Sequence, residues 1–181
     1  MIRLFAALSL PPDVALVLTQ AQVGLPGARW RPIESLHVTL RFFGDVPENQ
    51  AADLDAELAG LARPGFTLEL EGVGCFGEGA AIEAVWAGVA DSPALNRLAR
   101  SCEIAARRCG LKPDARRYRP HVTLAYLRRP DPAAVGRWLQ DHNLLRSPTI
   151  RVESFALYSS CRSREGSRYR IERIYALQSE I

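Results

Sequence analysis

The chain has 181 residues, of which 48% are hydrophobic and 24% are charged, and its formal net charge is +3. This length and composition are typical of a globular protein with one domain or two half-sized lobes. No apolar stretch approaches the roughly 20 residues that a membrane-spanning helix needs, so we expect no membrane insertion.

In chain order, the sequence predicts strands and helices that alternate in the same way in both halves. Proline follows the first strand of each half and is favoured in the first turn of a helix. The predicted strands are 3–10, 36–43, 66–72, 83–90, 120–127, 148–155 and 169–177, and the predicted helices are 12–23, 47–62, 93–109 and 131–142.

The two halves look like a diverged tandem duplication. The tetrapeptide His-Val-Thr-Leu occurs at 37–40 and again at 121–124, and segments 5–12 and 65–72 also recur 81 or 82 residues later. This pattern predicts an α+β fold with two pseudo-symmetric lobes, each an antiparallel sheet with helices packed outside, and a cleft between them. We expect a single bilobal domain over residues 1–181, with sequence halves of about 1–81 and 82–181.

The charged and sulfur-containing residues indicate the kind of partner and the compartment. Residues 1–90 carry five basic and 11 acidic residues, whereas residues 91–181 carry 18 basic and nine acidic residues. Nearly all the basic residues are arginines, whose planar fork suits phosphate oxygens, so a polyanionic partner is favoured. The four cysteines form no CxxC pair, and we expect reduced thiols and a cytoplasmic location.

The repeated motif points to acid–base chemistry. On a strand, residues i and i+2 share a face, so His37 projects with Thr39 and His121 projects with Thr123. Across a cleft, one imidazole can accept a proton while the other donates one, as in-line displacement at phosphorus requires. The threonine hydroxyls would stabilise the phosphate oxygens, and we predict chemistry without a metal or a cofactor, because no carboxylate ligands accompany the histidines.

A purely structural explanation stays open, since a duplicated strand can persist because both lobes pack alike. The third histidine, His142, follows a helical run in Asp-His-Asn and has no comparable setting. We expect it to cap the helix or to face solvent.

At this point the sequence resembles a known family, the two-histidine phosphoesterases, and most closely the RNA 2′,3′-cyclic phosphodiesterases, or 2′-5′ RNA ligase-like proteins. The resemblance covers nearly the whole chain. The segments that carry it are 3–8 (Arg-Leu-Phe-Ala-Ala-Leu), 29–30 (Arg-Trp), 36–44 (Leu-His-Val-Thr-Leu-Arg-Phe-Phe-Gly), 118–124 (Tyr-Arg-Pro-His-Val-Thr-Leu) and 157–159 (Leu-Tyr-Ser).

The resemblance implies a bilobal α+β fold and hydrolysis of a terminal 2′,3′-cyclic phosphate of RNA to a 2′-phosphate. Weak reverse 2′-5′ ligation is an optional part of this hypothesis. The resemblance also implies that His37 is the proton donor and His121 the acceptor. The expected partners are RNA ends with a cyclic phosphate or small cyclic-phosphate nucleotides, and we expect a monomer. The alternatives are an RNA-end-binding module without turnover and a phosphodiesterase for a small cyclic nucleotide.

One position departs from the family pattern. The family commonly has Arg five residues after the second motif histidine, where this chain has Tyr126. Either Arg128 or Arg129 supplies the charge instead, or Tyr126 stacks on a base.

Arginines and aromatic residues near the motifs are candidates for substrate binding. Arg41 and Arg119 share a face with their motif histidines if the strands are regular, and each could clamp a phosphate or form a surface ion pair. The aromatic candidates for base stacking are Phe42, Phe43, Tyr118 and Tyr126, with core packing as the alternative for each. The Arg-rich stretch 161–170 is either a mobile loop that gathers RNA or a solvated turn between strands.

Overall fold

The computed structural model describes residues 1–163 and 166–179, which form four α-helices, two short 3-10 helices and ten strands. The helices are α1 (Pro12–Ala21), α2 (Glu48–Ala59), α3 (Pro93–Arg108) and α4 (Pro132–His142). The strands are β1 (Ile2–Ser9), β2 (Arg29–Trp30), β3 (His37–Val46), β4 (Phe66–Leu68), β5 (Leu70–Phe76), β6 (Ala84–Val89), β7 (His121–Tyr126), β8 (Ile150–Val152), β9 (Ser154–Ser163) and β10 (Gly166–Ala176).

The strands form two four-stranded antiparallel sheets and a small third one. The order is β10-β9-β1-β3 in the first sheet and β2-β7-β6-β5 in the second, and β4 pairs with β8. The predicted α+β fold with two antiparallel sheets is confirmed. The two strands that carry the His-x-Thr (HxT) motif are β3 and β7. They hold equivalent places, because each lies beside the first strand of its half of the chain.

Each sheet takes strands from both halves of the sequence. Strand β9, from the second half, pairs with β1, and its counterpart β5, from the first half, pairs with β6. Neither half could therefore complete its sheet alone. For this reason we propose that residues 1–181 form one bilobal domain whose lobes are interleaved.

Helix α3 shows how local sequence determines an element. The Ser92 hydroxyl accepts a hydrogen bond from the amide of Leu95, and Pro93 occupies the first helical position, two features that favour helix initiation. The apolar side chains of Leu95, Leu98 and Cys102, at 3.6-residue spacing, are buried against β3 and α2. Full burial of one such leucine stabilises the fold by about 2 kcal/mol.

The predicted boundaries differ from the structure at a few places. The predicted strands 66–72 and 148–155 are each divided in two, at Glu69 and at Glu153, so the division itself is repeated in both halves. The second helix ends at Ala59 rather than at 62, before Gly60.

The bounds that both interpretations gave to the Arg-rich stretch 161–170 need correction. Most of this stretch belongs to β9 and β10, which pair as an antiparallel hairpin, so it is largely strand. Residues 164 and 165 of this stretch lie outside the described residues.

The four cysteines, Cys75, Cys102, Cys109 and Cys161, are free thiols, and no helix among the described residues is long and apolar enough to cross a membrane. Cys102 is buried in the core, where burial raises the pKa of its thiol to about 12. A thiol with so high a pKa is unreactive at neutral pH.

Candidate active site

A cavity of about 320 Å³ lies between the two sheets, and we call it the central groove. His37 and Thr39 of β3 line it from the first sheet, and His121 and Thr123 of β7 line it from the second. The structure therefore brings together the four motif residues that the sequence singled out, from positions 84 residues apart.

A bulge at the end of each motif shapes the groove. Ala6 pairs with Arg41 but Ala7 pairs with Thr39, so Leu40 is an extra residue in β3. The second sheet repeats this irregularity, since Val85 pairs with Ala125 and Trp86 with Thr123, which leaves Leu124 as the extra residue. A bulge reverses the alternation of side chains along a strand.

Because of these bulges, the residue five positions after each histidine returns to the groove. Phe42 follows His37 by five residues and Tyr126 follows His121 by five, and both line the cavity. The residues four positions after the histidines, Arg41 and Ala125, are instead buried on the opposite face.

Both imidazoles are held in the same way. The Nδ1 of His37 lies 2.9 Å from the carbonyl oxygen of Ser35, and the Nδ1 of His121 lies 2.8 Å from that of Arg119. A carbonyl oxygen can only accept, so each Nδ1 carries a hydrogen and donates it. The Nε2 atom of each ring is therefore the one available for proton transfer.

Burial lowers the pKa of both histidines. It lowers the pKa of His37 from 6.5 to about 4; the bond to Ser35 opposes this shift, whereas the charges of Arg31 and His121 add to it. Burial also lowers the pKa of His121; the bond to the Arg119 carbonyl opposes the shift and the Arg119 guanidinium adds to it. In the unliganded protein at neutral pH, both rings are mostly neutral.

Aromatic rings surround each imidazole and account for this loss of hydration. Phe5 lies 4.9 Å from His37 between ring centroids, and Tyr169 lies 5.3 Å away with its edge toward the ring. Phe76 lies 4.8 Å from His121 in a similar edge contact, with Trp86 at 6.1 Å. Aromatic rings from different elements thus shield the two imidazoles from water in a similar way.

The expectation that Arg41 shares a face with His37 is wrong. The bulge at Leu40 turns Arg41 away from the groove, and only 8% of its side chain is exposed. Its guanidinium pairs with Glu103 of α3 and donates to the Lys112 carbonyl at 2.7 Å. Arg41 therefore ties β3 to α3 and to the loop after that helix.

Three other predicted binding residues lie outside the central groove. Arg119 is exposed, with its guanidinium 5.9 Å from the Trp86 ring centroid, on the far side of His121. Phe43 packs against the core, beneath the Arg41 guanidinium. Arg128 is exposed beyond the end of β7 and does not line the cavity. Their roles in binding stay predictions.

Sequence reasoning missed two arginines that do line the groove, Arg3 of β1 and Arg31, which follows β2. The Arg31 guanidinium lies 5.5 Å from the ring centroids of both Tyr126 and Tyr169, and it donates to the Tyr169 hydroxyl at 3.2 Å. The only signal was the position of Arg31 beside the Arg-Trp pair. Nothing in the sequence indicated that β10 would bring Tyr169 to the same place.

The groove is well suited to an anion. Among the described residues, those that line it include two arginines, two threonines, three serines and two tyrosines, but no carboxylate. The described part of the chain also contains no group of three His, Cys, Asp or Glu side chains that could hold a metal ion. The chemistry available here is proton transfer by imidazole beside a bound, hydrogen-bonded anion.

One hydrogen bond joins the loop before β7 to β3. The Tyr118 hydroxyl, three residues before His121, donates to the Thr39 carbonyl at 3.0 Å. Burial raises the pKa of this phenol well above its usual value. Tyr118 thus stays neutral as a donor and fixes the separation of the two lobes at the groove.

Comparison with known proteins identifies relatives over most of the chain. A family model described as the 2′-5′ RNA ligase superfamily matches residues 10–164. An RNA 2′,3′-cyclic phosphodiesterase of Aeropyrum pernix is 33% identical over 140 residues, which are 76% of this chain and 79% of that protein. A protein of the same name from Geobacillus stearothermophilus is 39% identical over 107 residues, but the match spans only 34% of its length.

A solved structure shares the fold. The crystal structure of E. coli LigT complexed with 3′-AMP superposes with a TM-score of 0.80 at 28% sequence identity. The match covers 97% of this chain and 98% of that one. The similarity therefore extends over both sheets and not only over the motif strands.

Proposed function

The chain belongs to the 2′-5′ RNA ligase superfamily, and on this basis we propose that it hydrolyses the 2′,3′-cyclic phosphate at RNA ends to a 2′-phosphate. The observation that carries this proposal is the convergence of His37, Thr39, His121 and Thr123 on one groove. Relatives named RNA 2′,3′-cyclic phosphodiesterase support the substrate class.

In this mechanism the two Nε2 atoms act on opposite sides of the phosphorus. His121 accepts a proton from water, whose oxygen attacks the phosphorus, and the bond from phosphorus to O3′ breaks. His37 donates a proton to O3′ as it leaves, and the phosphate stays on O2′. Acid–base catalysis of this kind contributes about 10²-fold to 10⁴-fold.

The rest of the groove would bind the phosphate and the nucleoside. The hydroxyls of Thr39 and Thr123 donate to the non-bridging oxygens, where negative charge grows in the transition state. Arg31 adds a guanidinium whose orientation is fixed by Tyr126 and Tyr169. The exposed face of Tyr126 offers a surface for a base.

Two finer features belong to the same proposal. The reaction needs no metal, because imidazoles and hydrogen-bond donors supply every proton and charge contact. Replacement of water by a 5′-hydroxyl gives 2′-5′ ligation through the same steps. A cytoplasmic location and a monomeric state stay predictions from the sequence.

The test uses an oligonucleotide with a 2′,3′-cyclic phosphate end. We expect His37→Ala and His121→Ala each to lower kcat by about 10² or more. His142→Ala is the matched control, because His142 stacks on Trp138 in α4 and does not line the groove. The product should be the 2′-phosphate isomer, and a chelator should not change the rate.

Turnover that survives in both groove variants would refute the assignment. Tight binding of cyclic ends without product would instead favour an RNA-end-binding module. Hydrolysis of cyclic nucleotides with none of cyclic-ended RNA would favour a phosphodiesterase for small substrates.

A further inference from the structure

A second cavity, of about 610 Å³, lies on the outer side of His121, and we call it the outer cavity. It is bounded by the end of β5, the start of α3 and the loop before β7. The polar and aromatic side chains that line it include Phe76, Asp91, Ser92, Asn96, Arg117 and Arg119.

The outer cavity and the central groove share a wall. The Phe76 ring lines the outer cavity and makes an edge contact with His121, which lines the groove. Arg119 lines the outer cavity too, and its carbonyl oxygen holds the His121 ring. His121 is not among the residues that line the outer cavity, so a molecule there reaches the imidazole that we assign as the proton acceptor past the Phe76 ring.

The outer cavity carries positive charge available for binding. Arg117 and Arg119 are both exposed. Within residues 1–163 and 166–179, neither guanidinium lies within ion-pair distance of a carboxylate. Asp91 is the one carboxylate among the residues that line the cavity, so the local charge is positive. Two such arginines on one cavity suit phosphates of a nucleic acid.

The geometry of the reaction says which strand would lie here. In-line displacement requires the entering oxygen to approach opposite the leaving O3′. In the proposed function His37 acts at O3′ and His121 acts at the entering oxygen. The ribose of the cyclic end therefore lies on the His37 side, and whatever carries the entering oxygen lies on the His121 side.

We propose that the outer cavity binds an RNA strand whose 5′-hydroxyl attacks the cyclic phosphate. This inference rests on the proposed function, since it uses the same histidines and the same cyclic end. The bond from O5′ to phosphorus forms and the bond from phosphorus to O3′ breaks. His121 takes the proton of the 5′-hydroxyl, His37 gives one to O3′, and neither an oxidant nor a nucleotide cofactor is needed.

Each lining group has a role in this assignment. Arg117 and Arg119 bind phosphates of the incoming strand, which a single nucleoside lacks. Phe76 offers an aromatic contact to its first ribose or base, next to His121. An attacking water molecule needs none of these groups. They should therefore promote ligation without affecting hydrolysis, although both reactions use the same two histidines.

The experiment measures two products in one mixture. Purified protein receives adenosine 2′,3′-cyclic phosphate as donor and 5′-hydroxyl oligonucleotides of one to six residues, without 3′ phosphate, as acceptors. The readout is the ratio of 2′-5′-linked product to 2′-phosphate. For the unaltered protein, this ratio should rise with acceptor length as the phosphates reach Arg117 and Arg119, and it should fall as salt is added.

Arg117→Gln should lower the ratio about tenfold for long acceptors, the scale of one charged phosphate contact. Arg117→Glu should lower it further. Arg151→Gln is the matched control, because Arg151 is also exposed but lies on β8, away from both cavities. The ratio in this control should equal that of the unaltered protein.

The outcomes separate the two proposals. Failure to form any 2′-phosphate would contradict the proposed function. If 2′-phosphate forms but no linked product appears with any acceptor, the outer cavity does not bind an attacking strand. The assignment of the outer cavity to the acceptor strand would also be overturned if the yield of linked product changed neither with acceptor length nor in Arg117→Glu.

Discussion

His37 and His121 line one groove from two different sheets, and each ring donates its Nδ1 hydrogen to the carbonyl oxygen two residues before it. The local sequence Ser-Leu-His and Arg-Pro-His differ, yet the backbone holds both rings in the same tautomer. With Nδ1 occupied, each Nε2 is left to exchange a proton with a ligand. The two histidines thus share one tautomer and one kind of backbone hydrogen bond. Only the groups around each ring can make one the proton donor and the other the acceptor.

The first prediction concerns pH. The productive form has one proton on the pair, on His37 in the proposed mechanism. Because burial lowers the pKa of both histidines, to about 4 for His37, most molecules have lost both protons by pH 7. Each further pH unit removes about nine-tenths of the productive form, so kcat/KM should fall about tenfold per unit above pH 7.

A bound phosphate changes this profile in a defined direction. The negative charge of the substrate stabilises the imidazolium of His37 and raises its pKa in the complex. The alkaline limb of kcat should therefore lie at higher pH than that of kcat/KM. Steady-state profiles from pH 4 to 9 measure both limbs. A kcat/KM that is flat from pH 7 to 9 would contradict the assignment of His37 as the proton donor.

The second prediction concerns Arg31. Arg31→Gln removes a positive charge that contributes to the low pKa of His37, so that pKa should rise in the unliganded protein. It also removes a guanidinium from the groove, and KM for the cyclic substrate should increase about tenfold, the value of one charge-assisted contact. NMR titration of the His37 ring and steady-state kinetics measure the two effects.

Two further variants isolate the guanidinium. Arg31→Lys keeps the charge but loses the planar group between Tyr126 and Tyr169, so the pKa of His37 should stay low while KM rises. Arg151→Gln, on β8, should change neither quantity. If Arg31→Gln leaves KM within twofold of the unaltered value, Arg31 does not contact the substrate.

The HxT strands were predictable because period-two alternation is a local property of the chain. His37 and Thr39 share a face for that reason, and the repeat implied that His121 and Thr123 would meet them. The bulges at Leu40 and Leu124 were not predictable, since no Gly or Pro marks them and both leucines read as ordinary core residues. The single extra residue was enough to reverse the expected direction of Arg41.

The cationic part of the groove was beyond sequence reasoning for a different reason. Arg31, just after β2, Tyr126 of β7 and Tyr169 of β10 are far apart in the chain, and β10 reaches the site only because β9 joins the first sheet. Strand exchange between duplicated halves leaves no local signal. The tandem repeat suggested lobes that coincide with the halves, whereas the paired strands cross between them.

The third prediction separates a structural arginine from a substrate-binding one. Arg41→Ala leaves Glu103 without its partner and the Lys112 carbonyl without its donor. Glu103 is partly exposed, so we expect a loss of about 2 kcal/mol in the free energy of unfolding, below the range for fully buried pairs. Thermal unfolding should show a Tm lower by about 4–8 °C. KM measured well below that Tm should change less than twofold. A tenfold rise in KM would show that Arg41 contributes to substrate binding.

The last prediction concerns Gly74 of β5, which lies under the Trp86 indole. A Cβ atom at Gly74 would stand 2.2 Å from Cη2 and 2.3 Å from Cζ2 of Trp86, which is too close for any real contact. Gly74→Ala must therefore push the indole away. Because Trp86 pairs with Thr123 and its ring lies 6.1 Å from His121, the displacement reaches the proton acceptor.

We expect Gly74→Ala to cost about 1–3 kcal/mol of stability, as overpacking usually does, and to lower kcat as the His121 ring shifts. Gly136→Ala in α4 is the matched control, since nothing lies within 4 Å of its added Cβ and alanine favours a helix by about 0.5–1 kcal/mol. The control should raise Tm slightly and leave kcat unchanged. Equal Tm values for the two variants would show that the Trp86 ring can move freely, and a normal kcat in Gly74→Ala would show that His121 does not depend on it.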